Sequence, residues 1–230
     1  MTTIASNLQA VNNAIVTATA AAGRGAGEVK LLAVSKTFRP DDLREAYIAG
    51  QTRFAENYLQ EALEKIALLG DIPIEWHFIG PIQSNKTRPI AEKFSWVHSV
   101  DRLKVALRLS EQRPELLPPL QVCMQVNVSG ESSKSGVAPD QAESLARQIA
   151  SLPRLKLRGL MSVPAPTDDP ALQRMPFAKL RELRDRINLR GVQLDTLSMG
   201  MSHDFAVAIA EGATIVRVGT AIFGSRNYTD

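Results

Sequence analysis

The chain has 230 residues, of which 44% are hydrophobic and 22% are charged, a composition typical of a globular protein and a length that suits one α/β barrel domain. The net charge is only +3 and the basic residues are scattered, which argues against a nucleic-acid partner. Because no apolar run reaches about 18 residues and the amino terminus lacks the charged segment of a signal peptide, we expect a cytoplasmic protein with no membrane partner.

The first half of the chain alternates helical and β-type segments. We expect an opening helix over 3–22, strands over 30–34, 52–57, 76–80 and 96–100, and helices over 41–50, 58–70, 83–94 and 101–113. In the helix over 41–50, Asp41 or Asp42 is the expected N-cap and Gly50 the stop signal. Pro89 is expected to kink the helix over 83–94 or to mark its start.

The second half repeats the same alternation. Strands are predicted over 120–128, 156–163, 194–200 and 214–219, helices over 139–152, 171–191 and 202–213, and a closing segment over 220–224. Eight β runs separated by helices favour parallel strands with right-handed crossovers, and the chain length fits a closed sheet. The sequence therefore predicts one domain, residues 1–230, with the α/β fold of a single (β/α)8 TIM-type barrel. The extra N-terminal helix would replace the missing last helix.

Cysteine and histidine offer little evidence of metal chemistry. Cys123 is the only cysteine and lies in the apolar run 120–128, so we expect a buried thiol rather than a disulfide or a metal ligand. The three histidines, His77, His98 and His203, lie far apart in the sequence and lack metal-ligand spacing.

Lys36 stands at the carboxyl end of the first predicted strand, where barrels of this type carry their active sites. It follows five residues of buried type and one serine. An amine held against apolar walls has a lowered pKa, and a neutral amine is the form that condenses with an aldehyde to a Schiff base. The alternative is that Lys36 simply reaches solvent from the end of the strand.

Two later segments, 198–202 and 217–220, place glycine between a strand and a predicted helix start. Glycine permits close backbone approach, and barrels often bind phosphate after their seventh and eighth strands. The alternative is that these glycines only form tight turns.

Arg217 lies in the last predicted strand. If Val216 and Val218 face the helices, strand alternation directs Arg217 into the barrel, where a guanidinium needs a partner. A pyridine nitrogen would serve as one, and an ion pair with Glu56 or Asp195 would serve as another.

Seven segments carry a resemblance that spans nearly the whole chain: AVSKT (33–37), ENYLQE (56–61), WHFIGPIQSNK (76–86), VNVSGESSKSG (126–136), RGLMSVP (158–164), LSMGMSHD (197–204) and VRVGTAIFG (216–224). In order and spacing they resemble the pyridoxal phosphate homeostasis proteins of the YggS/PROSC type, which are similar to the barrel domain of alanine racemase. Two positions depart from the family pattern: Ala55 stands where glycine is usual, and His203 where an acidic or small residue is usual.

The resemblance implies pyridoxal 5′-phosphate (PLP) as cofactor, bound through a Schiff base on Lys36. It also implies a phosphate site at Ser202, Gly219 and Thr220, with Ser198 and Gly200 shaping its loop. Arg217 would face the pyridine nitrogen, and Asn57 and His77 would line the mouth. Lys134 would lie near the phenolic oxygen, and Met161 near the face of the ring.

The function that the resemblance implies is PLP homeostasis: a non-enzymatic carrier that supplies PLP-dependent apo-enzymes. One alternative is a PLP-dependent amino-acid racemase. Two-base racemisation needs a second acid–base group, which in the racemases is a tyrosine from another domain, and we expect no second domain because 230 residues leave little room for one. A second alternative, a Schiff-base aldolase without cofactor, explains Arg217 poorly. We expect a monomer.

Overall fold

Eight parallel strands form a closed barrel in sequence order in a computed structural model that describes residues 3–130, 135–167 and 169–224, apart from the side chain of Pro170. The last strand pairs with the first, with Lys30 opposite Ile215 and Ala33 opposite Val218. The strands are β1 (Lys30–Val34), β2 (Arg53–Glu56), β3 (Glu75–Phe78), β4 (Trp96–Val100), β5 (Leu120–Gln125), β6 (Leu155–Met161), β7 (Thr196–Ser198) and β8 (Ile215–Val218).

Helices follow the strands and surround the barrel. They are α1 (Ile4–Ala21), α2 (Pro40–Ile48), α3 (Leu59–Leu68), α4 (Thr87–Lys93), α5 (Leu103–Gln112), α6 (Ala142–Ala150), α7 (Pro170–Leu189), α8 (Phe205–Ala210) and α9 (Thr220–Phe223). The predicted TIM-type barrel with an extra N-terminal helix is confirmed. Because the segment after β8 forms only the short α9, α1 packs against α2, α8 and α9. Its Asn7 side chain donates to the Ile222 carbonyl (3.0 Å).

The predicted N-cap of α2 is wrong. The helix begins at Pro40, one residue before Asp41, and Arg39 is its N-cap. Proline suits the first helical position because the missing N–H has no intrahelical acceptor there, and the Asp42 carboxylate instead accepts the Arg39 N–H (2.9 Å). Gly50 ends the helix as expected, with a φ of +99° in the left-handed region.

The segment over 83–94 is not one continuous helix. A 3₁₀ turn over Ser84–Lys86 precedes α4, which begins at Thr87. Pro89 therefore stands in the first turn of α4, where a missing N–H breaks no bond, and so it marks the start of the helix. At the other helices the predicted ends differ from the observed ones by one to three residues, as fraying ends generally do.

Apolar side chains fill two separate spaces. The larger core lies between the sheet and the helices and includes Val216 and Val218. A smaller cluster fills the barrel interior: Leu32, Ala55, Trp96, Cys123, Met161 and Ile215. Cys123 is fully buried, as predicted, and burial raises the pKa of its thiol to about 12. The thiol is therefore an interior packing group rather than a nucleophile.

The described residues contain neither a membrane-spanning helix nor a metal-binding cluster. No helix among them is long and apolar enough to cross a bilayer. No three side chains of His, Cys, Asp or Glu in these ranges are arranged so that they could hold a metal ion.

The backbones of β6 and β7 approach each other closely at Gly159. A Cβ atom at this position would lie 1.8 Å from the Thr196 carbonyl oxygen of β7, so a side chain would fit only if one of the two strands moved. We expect Gly159→Ala to lower the free energy of unfolding by at least about 2 kcal/mol in urea titrations. Gly70→Ala is the matched control, since its Cβ would meet its nearest atom at an ordinary 3.6 Å. Equal stabilities of the two variants would contradict this account.

Candidate functional site

A pocket of about 290 Å³ opens at the carboxyl ends of the strands, where the loops after β1, β2, β3, β6, β7 and β8 converge. It is lined by seven of the predicted site residues: Lys36, Asn57, Met161, Ser202, Arg217, Gly219 and Thr220. Val34, Phe38, Ile79, Val163, Met201 and His203 complete the wall. The pocket therefore combines one primary amine, one guanidinium and two hydroxyls with apolar surfaces.

Lys36 enters the pocket from the end of β1. The strand ends at Val34, and the buried Ser35 N–H continues the ladder by donating to the Ala55 carbonyl of β2 (3.0 Å). Lys36 is half-buried and its side chain lines the pocket, so it is not the freely exposed strand-end lysine of the alternative interpretation.

Gly219 and Thr220 form the neighbouring wall. A Cβ atom at Gly219 would lie 2.9 Å from the Val34 carbonyl oxygen, so the backbone after β8 approaches the end of β1 too closely for a side chain. Thr220 begins α9, whose first N–H groups have no acceptors within the helix. Backbone donors and a hydroxyl thus lie next to Lys36.

The loop after β7 supplies Ser202 and His203 to the same pocket. Gly200 has a φ of +93°, and a Cβ atom there would lie 2.7 Å from Cβ of Ala208, so both conformation and space require glycine. The Asp204 carboxylate closes the turn by accepting the Met201 N–H (2.6 Å). Gly200 therefore shapes the loop, as predicted, and does not itself line the pocket. The structure begins α8 at Phe205 rather than at residue 202.

Arg217 is only 4% exposed and forms part of the pocket wall. Its guanidinium donates to the Ser198 carbonyl (2.6 Å), the Ser198 hydroxyl (2.9 Å) and the Ser162 carbonyl (2.8 Å). Burial lowers the pKa of Arg217 to about 10, which still leaves the group charged at neutral pH.

The predicted alternative, an ion pair between Arg217 and Glu56 or Asp195, is wrong. Glu56 pairs with Lys65 (2.8 Å), and Asp195, which precedes β7 at the amino-terminal end of the barrel, pairs with Arg158 (2.6 Å). No carboxylate of the described residues lies within ion-pair distance of Arg217.

A chain of hydrogen bonds leads from Arg217 through the barrel interior. The Ser198 hydroxyl contacts Nδ1 of His98 (2.8 Å), Nε2 of His98 contacts Nδ1 of His77 (2.9 Å), and Nε2 of His77 contacts the Glu75 carboxylate (2.9 Å). The three inner members are buried, and Glu75 at the start of β3 is partly exposed. The chain thus connects the pocket to the amino-terminal end of the barrel.

The two ends of this chain fix the direction of every bond in it. The guanidinium of Arg217 can only donate hydrogen bonds, and an ionised carboxylate can only accept them. The hydrogen bond from His77 lowers the pKa of Glu75 and so favours the ionised carboxylate. With both histidines neutral, each therefore carries its proton on Nε2, and the Ser198 hydroxyl donates to His98. Four aligned donors point from Arg217 toward Glu75, so each member of the chain turns its acceptor toward the guanidinium. The carboxylate whose charge acts on Arg217 is that of Asp204, in the loop after β7.

Burial lowers the pKa of His77, against the opposing effect of Glu75, and lowers the pKa of His98 well below its ordinary value. The positive charges of His77, when it is protonated, and of Arg217 lower the pKa of His98 further. Those of Arg53 and Lys30 lower the pKa of His77 further. Both rings are consequently neutral at pH 7, as the aligned chain requires.

Not every predicted site residue reaches the pocket. His77 lies one layer below the pocket, in the hydrogen-bonded chain, and Ser198 acts through Arg217 rather than as part of the wall. Lys134 lies outside the described residues. Sequence reasoning missed the apolar wall residues and the role of His98 and Glu75. Strand alternation was the available signal, since His77 and Glu75 share one face of β3.

Comparisons with known proteins agree on one group of relatives. Residues 6–227 match the family model described as the alanine racemase N-terminal domain. The chain is 62% identical over 228 residues to a pyridoxal phosphate homeostasis protein of Pseudomonas aeruginosa, covering 99% of this chain and 98% of that protein.

Two solved structures extend the comparison. PipY of Synechococcus elongatus, solved with PLP bound, has 37% sequence identity and a TM-score of 0.80, and the match covers 91% of this chain and all of that one. An alanine racemase of Corynebacterium glutamicum shares the fold, with 19% identity and a TM-score of 0.69 over 93% of this chain and 62% of its own.

The buried histidines give the protein a specific pH dependence. Because their pKa values are lowered on folding, below about pH 6.5 the unfolded chain binds protons that the folded chain does not. We expect the free energy of unfolding to fall between pH 6.5 and 5.5, by up to about 1.4 kcal/mol per histidine, in urea titrations at each pH.

The variant His98→Gln should remove about half of this slope. His203→Gln, at an exposed position on the pocket rim, is the control and should keep all of it. A wild-type stability that is flat across this pH range would show that the two rings are not buried as neutral bases.

Proposed function

Since the chain belongs to the pyridoxal phosphate homeostasis protein family, we propose that it binds PLP in this pocket and holds it as a Schiff base on Lys36. The observation that carries the proposal is the shared wall: Lys36, Arg217 and the Gly219–Thr220 turn face one cavity. PLP presents three groups that call for such partners, namely an aldehyde, a pyridine nitrogen and a phosphate. The cavity lies at the small end of the range for ligand pockets.

Lys36 is the proposed covalent anchor. Its neutral amine adds to the aldehyde carbon of PLP, and water leaves as the C=N bond forms. The apolar side chains of Val34, Ile79 and Met161 line the same pocket as Lys36.

The phosphate is assigned to the wall formed by Ser202, Gly219 and Thr220. Two hydroxyls and the backbone donors of the turn suit phosphate oxygens. His203 on the same wall adds a ring N–H as a further donor. Gly200 shapes the loop that carries Ser202, and Ser198 acts through Arg217.

Arg217 is assigned to the pyridine nitrogen. A guanidinium donates a hydrogen bond without transferring its proton, so it would keep that nitrogen unprotonated. PLP serves enzymes as an electron sink, and an unprotonated ring is a weaker sink. Met161 is assigned to the ring face and Asn57 to the rim, where its buried Oδ1 has no hydrogen-bond partner among the described residues. His77 acts through the hydrogen-bonded chain, and Lys134 remains the proposed neighbour of the phenolic oxygen.

We infer a carrier rather than an enzyme. Racemisation would need a second acid–base group on the opposite face of the ring, and no tyrosine of the described residues lines the pocket. Tyr58, close to the mouth in sequence, is 56% exposed at the start of α3. The proposal includes PLP-dependent apo-enzymes as recipients and residues 1–230 acting as one monomeric PLP-binding domain. The cytoplasmic location remains a prediction of the sequence.

Borohydride reduction tests the covalent anchor. We expect the protein incubated with PLP to absorb in the visible range and, after reduction, to carry one phosphopyridoxyl group on Lys36 by peptide mass spectrometry. Lys36→Ala should lose both signals because it lacks the amine, whereas Lys86→Ala, at an exposed position, should keep them. An adduct located elsewhere, or an unchanged spectrum in Lys36→Ala, would overturn the assignment.

Transfer to an apo-enzyme tests the carrier role. We expect a PLP-dependent apo-enzyme to regain activity faster with the PLP-loaded protein than with the same concentration of free PLP. L-Alanine incubated with the PLP-loaded protein should keep its enantiomeric purity over many hours. Prompt appearance of D-alanine would instead support the racemase, and equal reactivation rates would contradict transfer.

A further inference from the structure

A buried ion triad lies beneath the loop that carries Lys36. Lys65 of α3 is only 3% exposed, and its ammonium donates to Oε1 of Glu56 (2.8 Å), Oε1 of Glu61 (2.5 Å) and the Ser35 carbonyl (2.7 Å). These three contacts match the three N–H donors of a lysine ammonium. Glu56 is fully buried at the end of β2, while Glu61 is partly exposed on α3.

The triad contacts the residues on both sides of Lys36. On one side, Ser35 gives its carbonyl to Lys65, and its hydroxyl donates to Oε1 of Glu56 (2.6 Å). On the other side, the Thr37 N–H donates to Oε1 of Glu61 (2.5 Å). Charged groups on β2 and α3 therefore fix the backbone immediately before and after Lys36.

The conformation of Thr37 shows why such fixing is needed. Its φ is +70°, and Arg154 is the only other non-glycine residue in the described ranges with a positive φ. The left-handed region is unfavourable for a β-branched residue, because Cβ crowds the backbone. Without the hydrogen bond to Glu61, Thr37 would relax toward a negative φ, and the direction in which Lys36 leaves β1 would change.

The composition of the triad suggests more than a stabilising role. Buried ion pairs are often no more stabilising than apolar residues of the same volume, so their presence alone is weak evidence for stability. Burial raises the pKa of Glu56, and the Lys65 ammonium opposes that rise. What apolar residues could not supply is the set of directional contacts to Ser35 and Thr37.

We propose that Glu56, Lys65 and Glu61 form a positioning device for Lys36, which holds the strained Ser35–Thr37 backbone so that the amine is presented to the pocket. The inference rests on the proposed function, in which Lys36 forms the Schiff base. Glu61 is the member that fixes the strained residue directly. None of the three residues lines the pocket, so the device acts through Lys36 and not on the ligand itself.

The test separates Schiff-base formation from non-covalent binding. PLP and pyridoxine 5′-phosphate share the ring and the phosphate, but pyridoxine 5′-phosphate has no aldehyde and cannot condense with Lys36. We expect Glu61→Ala to weaken PLP binding about tenfold, with a matching loss of borohydride-trapped adduct, because the Thr37 N–H loses its acceptor. Binding of pyridoxine 5′-phosphate, measured by calorimetry, should stay within about twofold of wild type.

Three further variants complete the design. Glu61→Gln retains an acceptor oxygen for Thr37 and should keep most of the Schiff base. Glu64→Ala, at an exposed position one turn along the same helix, is the matched control and should behave as wild type. Adding Thr37→Gly to Glu61→Ala should recover most of the lost adduct, because glycine adopts a positive φ without strain.

The variant Thr37→Pro changes the loop itself, so it tests the proposal even if Glu61→Ala does not fold. Proline fixes φ near −65° and lacks the N–H, and position 37 is exposed, so the fold should survive while the adduct is lost. Equal loss of both ligands in Glu61→Ala, or full adduct in Thr37→Pro, would overturn the inference. A wild-type protein that forms no adduct would refute the proposed Schiff base itself, which is a different outcome.

Discussion

The guanidinium of Arg217 is charged at neutral pH and buried inside the closed barrel, and no carboxylate of the described residues lies within ion-pair distance of it. Many polar groups of the interior compensate for this buried charge. Burying a charge is costly unless polar groups replace the water that it loses. Two backbone carbonyls and the Ser198 hydroxyl do so directly, and the chain His98, His77 and Glu75 extends the compensation across the barrel. The pocket is thus formed around a charge that the fold holds at a fixed place.

The same barrel contains a second polar system, the triad around Lys65, and the two differ in design. The chain at Arg217 consists of neutral groups aligned between one cation and one distant carboxylate. The triad consists of charged groups in direct contact, and these hold the backbone around Lys36. One system therefore fixes a side chain, and the other fixes the direction of a loop. Arg217 and Lys36, the residues that these two systems hold, both line the pocket to which PLP is assigned.

The order of elements could be predicted from the sequence because most strands are short runs rich in apolar residues and some helices end at a glycine, such as Gly50. Sequence reasoning placed Lys36, Arg217 and the two glycine turns at one end of the barrel, since the carboxyl ends of parallel strands meet there. It misplaced the start of α2, because it took an aspartate for the cap and overlooked Pro40 at the first helical position. It also took His77 for a wall residue, because alternation shows that a side chain points inward but not how deep it lies.

The sequence by itself determined the alternation of strands and helices, the closed barrel and the motifs by which the family is recognised, since these depend on local pattern and short spacing. Only the tertiary structure decided which groups meet. Glu56 was predicted as a possible partner of Arg217, and only the folded arrangement of α3 and β2 shows that it pairs with Lys65 instead. The hydrogen-bonded chain and the triad join residues up to 100 positions apart. Such contacts follow from the closure of the barrel and have no signature in any single segment.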